Sequence, residues 1–413
     1  MPTPLLELSV KNYKSLRDVT VRLGPLNVLV GPNGSGKSNL LDVIQFLGDS
    51  AREDLVPALE RRQGFDRVYF RGESKTARSP TIHIHVKANV TSYAHKGAPD
   101  EYGLSFERIR IGKRVQQLRG RVPVILTYLT RSEQFTFKPF KGRGRRITIN
   151  GEKAELVETH GEKKTTRDFP LRSDSLGLST LPRLPAAQGG DAVRKMAELF
   201  STFRVFDVDA RAARQPSPVS SSSTLQPDAR NLAAFLHYLS QDEETFERLQ
   251  EDARAIVPGL ERIHLPKVGG AAEAVIVELE ESGLKGRTTL AEASFGTVRA
   301  LALLAMLYDP NPPLLTCVEE IDHGFHPYVF DRLVERLRWA SKRTQFIIAT
   351  HSPSLVNRLR ADELIVCERD ARTGESRIPA ADPQKVRAME ERAEGRMGLG
   401  ELWFTGSLGG VPR

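Results

Sequence analysis

Hydrophobic and polar positions alternate along the first thirty residues in a way that predicts three short strands, at 5–10, 19–23 and 26–30. The third strand is apolar enough to lie buried inside a sheet. A glycine-rich loop follows it, and apolar positions then recur at helical spacing over 38–47. The chain therefore begins with strands, a glycine-rich loop and an amphipathic helix.

The middle of the chain changes its pattern twice. Residues 80–150 alternate as strands do, with polar or glycine breaks between them. Helical periodicity returns at 191–203, and a loop with four consecutive serines from Ser220 follows. Residues 231–256 predict one or two helices, and further strands are expected to about Leu290.

From residue 297 onward, helices and buried strands alternate. Helices are predicted at 297–307 and 328–340, and strands at 314–318, 346–349 and 364–367. Strands and helices that alternate at this spacing are typical of a doubly wound α/β layer.

The length of 413 residues suggests two or three domains. We expect an N-terminal lobe at 1–185 that contains the glycine-rich loop and a β subdomain. A helical insertion is expected at 186–262, and a C-terminal lobe at 263–413.

The composition fits a soluble globular protein, with 39% hydrophobic and 27% charged residues. The longest apolar run, at 300–308, is shorter than the ~18 residues that a membrane span needs. The N-terminus lacks the basic and apolar segments of a secretory signal. Two cysteines, Cys317 and Cys367, lie in apolar runs, which argues against a disulfide framework and predicts a cytoplasmic location without membrane partners.

The positive charge is concentrated in one basic block. Between Arg108 and Arg146 there are twelve lysines and arginines and one acid, Glu133, so the block carries +11 and the rest of the chain −3. Phe135, Phe137 and Phe140 are interleaved with these basic residues. The block predicts contact with a nucleic-acid phosphate backbone; the alternative is an exposed basic hairpin that only contacts solvent.

The segment after the third strand matches a phosphate-binding loop, or P-loop. The pattern G-x-x-x-x-G-K-S between a buried strand and a helix lets backbone N–H groups turn inward around phosphates at a helix N-terminus. The lysine would contact the β- and γ-phosphates, and the serine hydroxyl would ligate Mg²⁺. The residues expected to bind the nucleotide are Gly31, Pro32, Asn33, Gly34, Ser35, Gly36, Lys37, Ser38 and Asn39.

The predicted strand at 314–318 ends in two adjacent carboxylates, Glu319 and Glu320. Because successive strand side chains point to opposite faces, the two acids are expected to have different roles. We expect Glu319 to hold the metal's water shell, together with Ser38 as a metal ligand. Glu320 is expected to polarise the attacking water as general base.

Two further segments could contact phosphate. His351 follows a buried strand and would hydrogen-bond the γ-phosphate as a catalytic residue, although a histidine after a strand is more often structural. Ser294 and Gly296 belong to a small-residue turn at the start of a helix. This turn would form a second anion site, and the alternative role for Ser294 is a plain helix N-cap.

The order of these motifs along the chain resembles that of the ABC-type ATPases of the RecF/SMC/OLD class. The order is the P-loop, the Ser-x-Gly turn, the strand with two acids and the strand with a histidine. Within this class, the chain looks like the small stand-alone RecF-like AAA ATPases. The start of the chain at 8–16 is similar to their start, 319–327 resembles their "EEPE-x-G-x-HP" run, and 398–403 is also similar. The resemblance covers nearly the whole chain and is densest at 5–48 and 285–370.

The resemblance implies an α/β P-loop NTPase fold with an ABC-type head, and ATP and Mg²⁺ as cofactors. It also implies a homodimer in which two ATP molecules lie between two heads. Ser294 and Gly296 would then contact the γ-phosphate of the partner's ATP, and Asp322 would lie in the loop that crosses the dimer interface.

The sequence departs from the family pattern at several positions. Ile321 replaces the usual proline, and Phe295 lies between the serine and the glycine of the Ser-x-Gly turn. The acid expected at the metal is glutamate and not aspartate. No glutamine can be assigned to the Q-loop that such ATPases have. Gln45 lies too early in the chain, directly after the P-loop, and Gln116, Gln117 and Gln134 are the other candidates. A short insertion replaces the long coiled-coil arms, and no TOPRIM nuclease domain is recognised, so a partner chain would have to cut any nucleic acid.

Such an ATPase could serve one of three functions. The first is an ATP-gated switch that acts on DNA, in RecF-like repair or in antiphage defence beside a partner nuclease. The second is an ATP-dependent switch that acts on protein partners only. A transporter subunit is disfavoured by the RecF-like start, the acidic run and the basic charge balance.

Overall fold

A computed structural model describes residues 3–72, 81–117, 120–160, 163–172, 175–186, 189–219, 223–270, 273–393 and 397–410. Within these ranges, the side chains of 110–127, 139–140 and 163–164 are not described. The serines at 220–222 therefore lie outside the described residues.

The strands of the described ranges form five sheets. In chain order they are β1 Leu5–Tyr13, β2 Leu16–Arg22, β3 Leu26–Val30, β4 Thr81–Ala88, β5 Asp100–Gln117, β6 Gly120–Phe140, β7 Arg143–Asn150, β8 Lys153–His160, β9 Lys163–Pro170, β10 Arg204–Phe206, β11 Ser217–Pro218, β12 Leu260–His264, β13 Lys267–Val268, β14 Ala274–Val275, β15 Glu278–Glu281, β16 Arg287–Thr289, β17 Leu315–Val318, β18 Gln345–Thr350, β19 Leu364–Val366, β20 Glu368–Arg369 and β21 Ser376–Arg377.

The helices pack on both faces of a central parallel sheet. In chain order they are α1 Lys37–Glu53, α2 Leu55–Glu60, α3 Phe65–Val68, α4 Gly177–Thr180, α5 Gly190–Ser201, α6 Ala210–Ala213, α7 Leu232–Leu239, α8 Glu243–Ile256, α9 Phe295–Leu307, α10 Phe330–Ala340, α11 Pro353–Val356, α12 Pro383–Arg392 and α13 Leu399–Phe404. Within the described part of the chain, none of them is long and apolar enough to cross a membrane.

The parallel sheet has the strand order β10–β17–β18–β3–β19. Alternate side chains of a strand point to opposite faces, and each face has its own hydrophobic core. On one face, Leu29, Cys317 and Ile347 pack with α1 and the larger sheet. On the other, Val30 and Ile348 pack with α7–α10. The carboxyl ends of β3, β17, β18 and β19 meet at one edge, where ligands bind in sheets of this kind.

The second large sheet has eight strands in the order β2–β1–β4–β5–β6–β7–β8–β9, and all its pairings are antiparallel. Its inner face buries Tyr102 and Phe135 against Phe200 of α5. Gln345 joins it to the parallel sheet. The Gln345 side chain accepts a hydrogen bond from the backbone N–H of Leu5 at 3.0 Å and donates one to the backbone carbonyl oxygen of Leu5 at 2.7 Å.

Two strands of this sheet extend beyond their neighbours. β5 and β6 pair from Glu101–Thr136 to Gln117–Gly120, whereas β4 pairs with β5 only as far as Glu107. β7 pairs with β6 only from Ser132 onward. Beyond these points β5 and β6 form a two-stranded arm about ten residue pairs long, or roughly 33 Å at the usual rise per residue.

The sequence predicted the α/β head and the N-terminal β lobe correctly. The pattern at 231–256 contains two helices, α7 and α8. In the expected helical insertion, α5 packs in the core beside α1, and β10 forms the edge of the parallel sheet; the domain boundaries themselves stay a prediction. Cys317 and Cys367 are buried free thiols, and the cytoplasmic location stays a prediction.

Candidate active site

The P-loop between β3 and α1 has a backbone that requires glycine at several positions. Gly34 and Gly36 adopt left-handed φ angles of 77° and 105°, which glycine reaches without steric cost. A Cβ on Gly31 would lie 2.3 Å from the carbonyl oxygen of Cys367, and a Cβ on Gly36 would lie 2.2 Å from the Ser376 hydroxyl. The chain therefore approaches its neighbours too closely for any larger residue.

Lys37 is the first residue of α1, and only 6% of it is exposed. Its Nζ atom donates hydrogen bonds to the carbonyl oxygens of Gly31 at 2.8 Å and Pro32 at 3.0 Å. Burial lowers the pKa of Lys37, and the nearby Glu319 and Glu320 carboxylates oppose that shift. The ammonium group is thus held over the loop where a phosphate would be bound.

Ser38 and Glu319 lie together although they are 281 residues apart. The Ser38 hydroxyl donates a hydrogen bond to Glu319 Oε2 at 2.7 Å. Mg²⁺ in proteins is usually held by one or two oxygen side chains together with water and substrate phosphates. No group of three or more His, Cys, Asp or Glu side chains in the described ranges forms a dedicated metal cage. This pair therefore fits Mg²⁺ bound together with a nucleotide.

Glu320 follows Glu319 in a conformation that is uncommon for a residue with a side chain. Its φ angle is 47°, a left-handed value seen in few non-glycine residues. The buried Arg299 of α9 donates a hydrogen bond from Nη2 to the Glu320 carbonyl oxygen at 2.9 Å. The Glu320 side chain is exposed and lies 3.3 Å from His323 Nδ1. The carboxylate is accessible, and its backbone is fixed by α9.

The residues after Glu320 anchor the loop to the sheet. Ile321, in the place of the family's proline, is completely buried, and its N–H donates to the Ala349 carbonyl oxygen at 3.3 Å. The Thr350 hydroxyl donates to Asp322. A proline at 321 could not make the first of these hydrogen bonds, so isoleucine suits this loop.

His351 follows β18 at the same edge of the sheet. Burial lowers the pKa of His351, and the positive charge of Lys37 lowers it further. At neutral pH the ring is therefore neutral and offers one N–H donor and one nitrogen acceptor.

One pocket brings most of these predicted residues together, although Gly31, Pro32 and Ser35 of the P-loop do not line it. It lies at the carboxyl edge of the parallel sheet and joins the P-loop with both acids and the histidine. Arg369, which no sequence motif marks, also lines it. The described residues that line the pocket are Asn33, Gly34, Gly36, Lys37, Ser38, Asn39, Glu319, Glu320, Ala349, His351 and Arg369.

Ser294 and Gly296 lie at the start of α9 and not among the residues described as lining the pocket. Ser294 caps the helix, because its hydroxyl accepts a hydrogen bond from the Thr297 N–H at 3.0 Å. A Cβ on Gly296 would lie 2.5 Å from the Gly324 carbonyl oxygen. The Phe295 ring, 41% exposed, lies 5.3 Å from the ring of His323. The turn therefore packs against the loop after β17 and presents its hydroxyl to the surface.

No glutamine lines this pocket among the described residues. Gln45 lies on the exposed side of α1 and Gln134 on the exposed side of β6. The side chains of Gln116 and Gln117 are outside the described residues. The Q-loop position therefore stays open.

The basic block lies in the antiparallel sheet and its two-stranded arm, and part of it is structural. Phe135 and Phe137, which are interleaved with the basic residues in the sequence, are fully buried, so these two rings belong to the core. Arg131 is also buried, beside Glu133 at 3.1 Å. Arg108 pairs with Asp66. The side chains of Arg110, Lys113, Arg114, Arg119, Arg121 and Phe140 lie outside the described residues.

Comparison with known proteins identifies a family over most of the chain. A family model described as an AAA domain, putative AbiEii toxin, type IV TA system, matches residues 26–357. The OLD nuclease of Thermus scotoductus is 39% identical over 82 residues, which is 16% of this chain and 16% of that protein. The RecF DNA replication and repair protein of Magnetococcus marinus is 43% identical over 74 residues, 17% and 19% of the two chains. The chain spans less than a fifth of the length of these curated relatives.

Solved structures share the fold over nearly the whole chain. An Smc head bound to the C-winged helix domain of ScpA superimposes with a TM-score of 0.52 at 15% identity, covering 91% of this chain and 96% of that one. An Smc head with an extended coiled coil from Pyrococcus furiosus, bound to the C-terminal domain of ScpA, gives 0.53 at 14% identity, covering 95% and 100%. At this identity the likeness shows the fold.

Proposed function

The chain belongs to this AAA-domain family, within the RecF/SMC/OLD class of ABC-type ATPases, and from that premise we propose that it binds ATP with Mg²⁺ and hydrolyses ATP. One observation carries the proposal. A single pocket at the carboxyl edge of the parallel sheet is lined by residues from distant parts of the sequence: Lys37, Ser38, Glu319, Glu320 and His351.

Each residue has a separate task in the proposed reaction. The P-loop N–H groups and Lys37 bind the phosphates, and Ser38 and Glu319 would hold Mg²⁺, which would supply positive charge to the phosphate oxygens. The exposed Glu320 carboxylate accepts the proton of the attacking water. Neutral His351 donates a hydrogen bond to the γ-phosphate and so distinguishes ATP from ADP.

A second copy of the chain is proposed to complete the site. In one chain, Ser294 lies at the surface next to the loop after β17 and not in its own pocket. In a homodimer, this turn would lie over the γ-phosphate bound by the partner. Ser294 and Gly296, which lie outside their own chain's pocket, would then contact the partner's nucleotide. ATP would then hold the dimer closed and hydrolysis would open it. Higher oligomers built from such dimers are compatible with this arrangement.

DNA is the proposed substrate of the switch, in RecF-like repair or in antiphage defence with a partner nuclease. The basic block supports it, because the arm formed by β5 and β6 is a two-stranded ribbon that carries basic residues, and a ribbon of this kind fits the DNA major groove. The alternative is action on protein partners only. The burial of Arg131, Phe135 and Phe137 favours that alternative, since these three cannot contact DNA.

The nucleotide site is tested by Lys37→Ala. We expect ATP binding, measured by isothermal titration calorimetry, to be lost while the melting temperature stays close to that of the wild type, because Lys37 contacts loop carbonyls and not the hydrophobic core. Lys11→Ala, an exposed lysine on β1, serves as the control. ATP affinity equal to wild type in folded Lys37→Ala would contradict the proposal.

A further inference from the structure

The last strand of the parallel sheet leads into a small hairpin that contacts the P-loop. β20 and β21 pair at Glu368–Arg377 and Arg369–Ser376. The Ser376 N–H donates to the Ser15 carbonyl oxygen at 2.8 Å, and the hydroxyls of Ser15 and Ser376 are 2.6 Å apart. Asn39 of α1 donates to the Ser15 hydroxyl at 2.7 Å. The hairpin is therefore bound to the turn between β1 and β2, and Asn39 links the same turn to α1.

Close packing fixes the distance between the hairpin and the P-loop. A Cβ on Gly36 would lie 2.2 Å from Ser376 Oγ and 2.8 Å from its Cβ. There is no room for the hairpin to move toward the loop, and the two hydrogen bonds between Ser376 and Ser15 oppose its moving away. The backbone of β20, which pairs with Ser376, is consequently held close to the P-loop.

Arg369 is the side chain that extends from β20 to the P-loop. Its Nη1 atom lies 3.7 Å from the position that a Cβ on Gly34 would occupy, and the residue lines the nucleotide pocket. Two neighbouring arginines are neutralised: Arg377 pairs with Asp370 at 2.8 Å, and Arg17 pairs with Glu375. Arg369 is exposed and has no ion pair with any residue of the described ranges.

We propose that Arg369 is a phosphate-binding residue of the nucleotide site, a second cation beside Lys37 that acts on the polyphosphate of a nucleoside di- or triphosphate. This inference rests on the proposed function. An arginine presents several N–H donors in a planar fork that matches phosphate oxygens. Gly34 leaves the approach open, since it has no side chain between the guanidinium group and the loop.

The test compares Arg369→Ala and Arg369→Lys with Arg377→Ala, which removes the same charge from the other strand of the hairpin. ATP and ADP affinities are measured by calorimetry on the full chain with Mg²⁺. We expect Arg369→Ala to weaken both nucleotides by about 10- to 100-fold, the range for charge-assisted hydrogen bonds. Arg369→Lys should recover part of that loss, and Arg377→Ala should bind like the wild type.

The outcomes separate this inference from the proposed function. If Arg369→Ala binds ATP like the wild type while Lys37→Ala does not, the role of Arg369 is wrong and the nucleotide site stands. If Arg377→Ala weakens binding as much as Arg369→Ala, the effect is one of general surface charge and the inference is overturned. Wild-type binding in both Arg369→Ala and Lys37→Ala would contradict both proposals.

Discussion

Arg131 and Arg146 belong to the same basic block but lie in opposite environments. Arg131 is 4% exposed and donates hydrogen bonds to the carbonyl oxygens of Gly151 and Arg172 at 2.9 and 3.0 Å. Its partner Glu133 is also buried and accepts a hydrogen bond from the Gly177 N–H at 2.6 Å. Burial raises the pKa of Glu133, and the charge of Arg131 opposes that shift. Arg146, in contrast, is exposed on β7.

This difference predicts separate effects on stability. Arg131→Ala leaves the Glu133 carboxylate buried without its cation, so the free energy of unfolding should fall by about 3–5 kcal/mol. Arg146→Ala should change it by no more than about 0.5 kcal/mol, as is usual at exposed positions. Urea denaturation of both variants measures the difference. Equal and small effects would show that Arg131 is not a structural residue.

At the scale of elements, the sequence predicted most strands and helices but not how they pair. The buried strand at 26–30 coincides with β3, and the P-loop was recognised because its residues are adjacent in the sequence. The long pairing of β5 with β6 was not predicted, since alternation marks a strand but not its partner or its length. Phe135 and Phe137 alternate with polar residues because one face of β6 belongs to the core.

Arg369 was missed because no local motif marks it. It reaches the pocket only because β19 pairs in parallel with β3, which brings the carboxyl ends of both strands to the same edge. The available signal was its place just after the predicted strand at 364–367. Ser294 shows the opposite case, since its sequence context left two roles open and the structure shows the helix cap without testing the contact with a partner.

The exposed arginines of β7 allow a test of DNA binding at the same scale. The test changes Arg143→Glu and Arg146→Glu together, because both side chains are exposed on β7. If the strand contacts phosphates, DNA affinity should fall. The negative slope of log affinity against log salt concentration should become shallower by about 2. Fluorescence anisotropy at several salt concentrations measures both quantities.

The control reverses two charges elsewhere, Lys385→Glu and Arg387→Glu on the exposed face of α12. This variant keeps the same net charge as the β7 variant but leaves the basic block intact. Unchanged affinity and salt slope in the β7 variant would favour the alternative in which the switch acts on protein partners only.

At the scale of the whole molecule, the central claim is a head dimer that ATP closes and hydrolysis opens. Glu320→Gln keeps the shape of the side chain but cannot accept the water's proton, so turnover should fall by about 10²–10⁴-fold. ATP binding should survive, because Lys37, Ser38 and Glu319 are unchanged. The ATP-bound state would therefore accumulate, and it should be dimeric if Ser294 of one chain completes the site of the other.

The most direct measurement is the size in solution of Glu320→Gln with Mg²⁺ and either ATP or ADP, by size-exclusion chromatography with light scattering. We predict that ATP, but not ADP, shifts the variant from a smaller to a larger species. Adding Ser294→Arg should abolish the shift, and adding Ser407→Arg at an exposed C-terminal position should not. A variant that has lost turnover and binds ATP, yet has the same size with ATP as with ADP, would contradict the ATP-gated dimer.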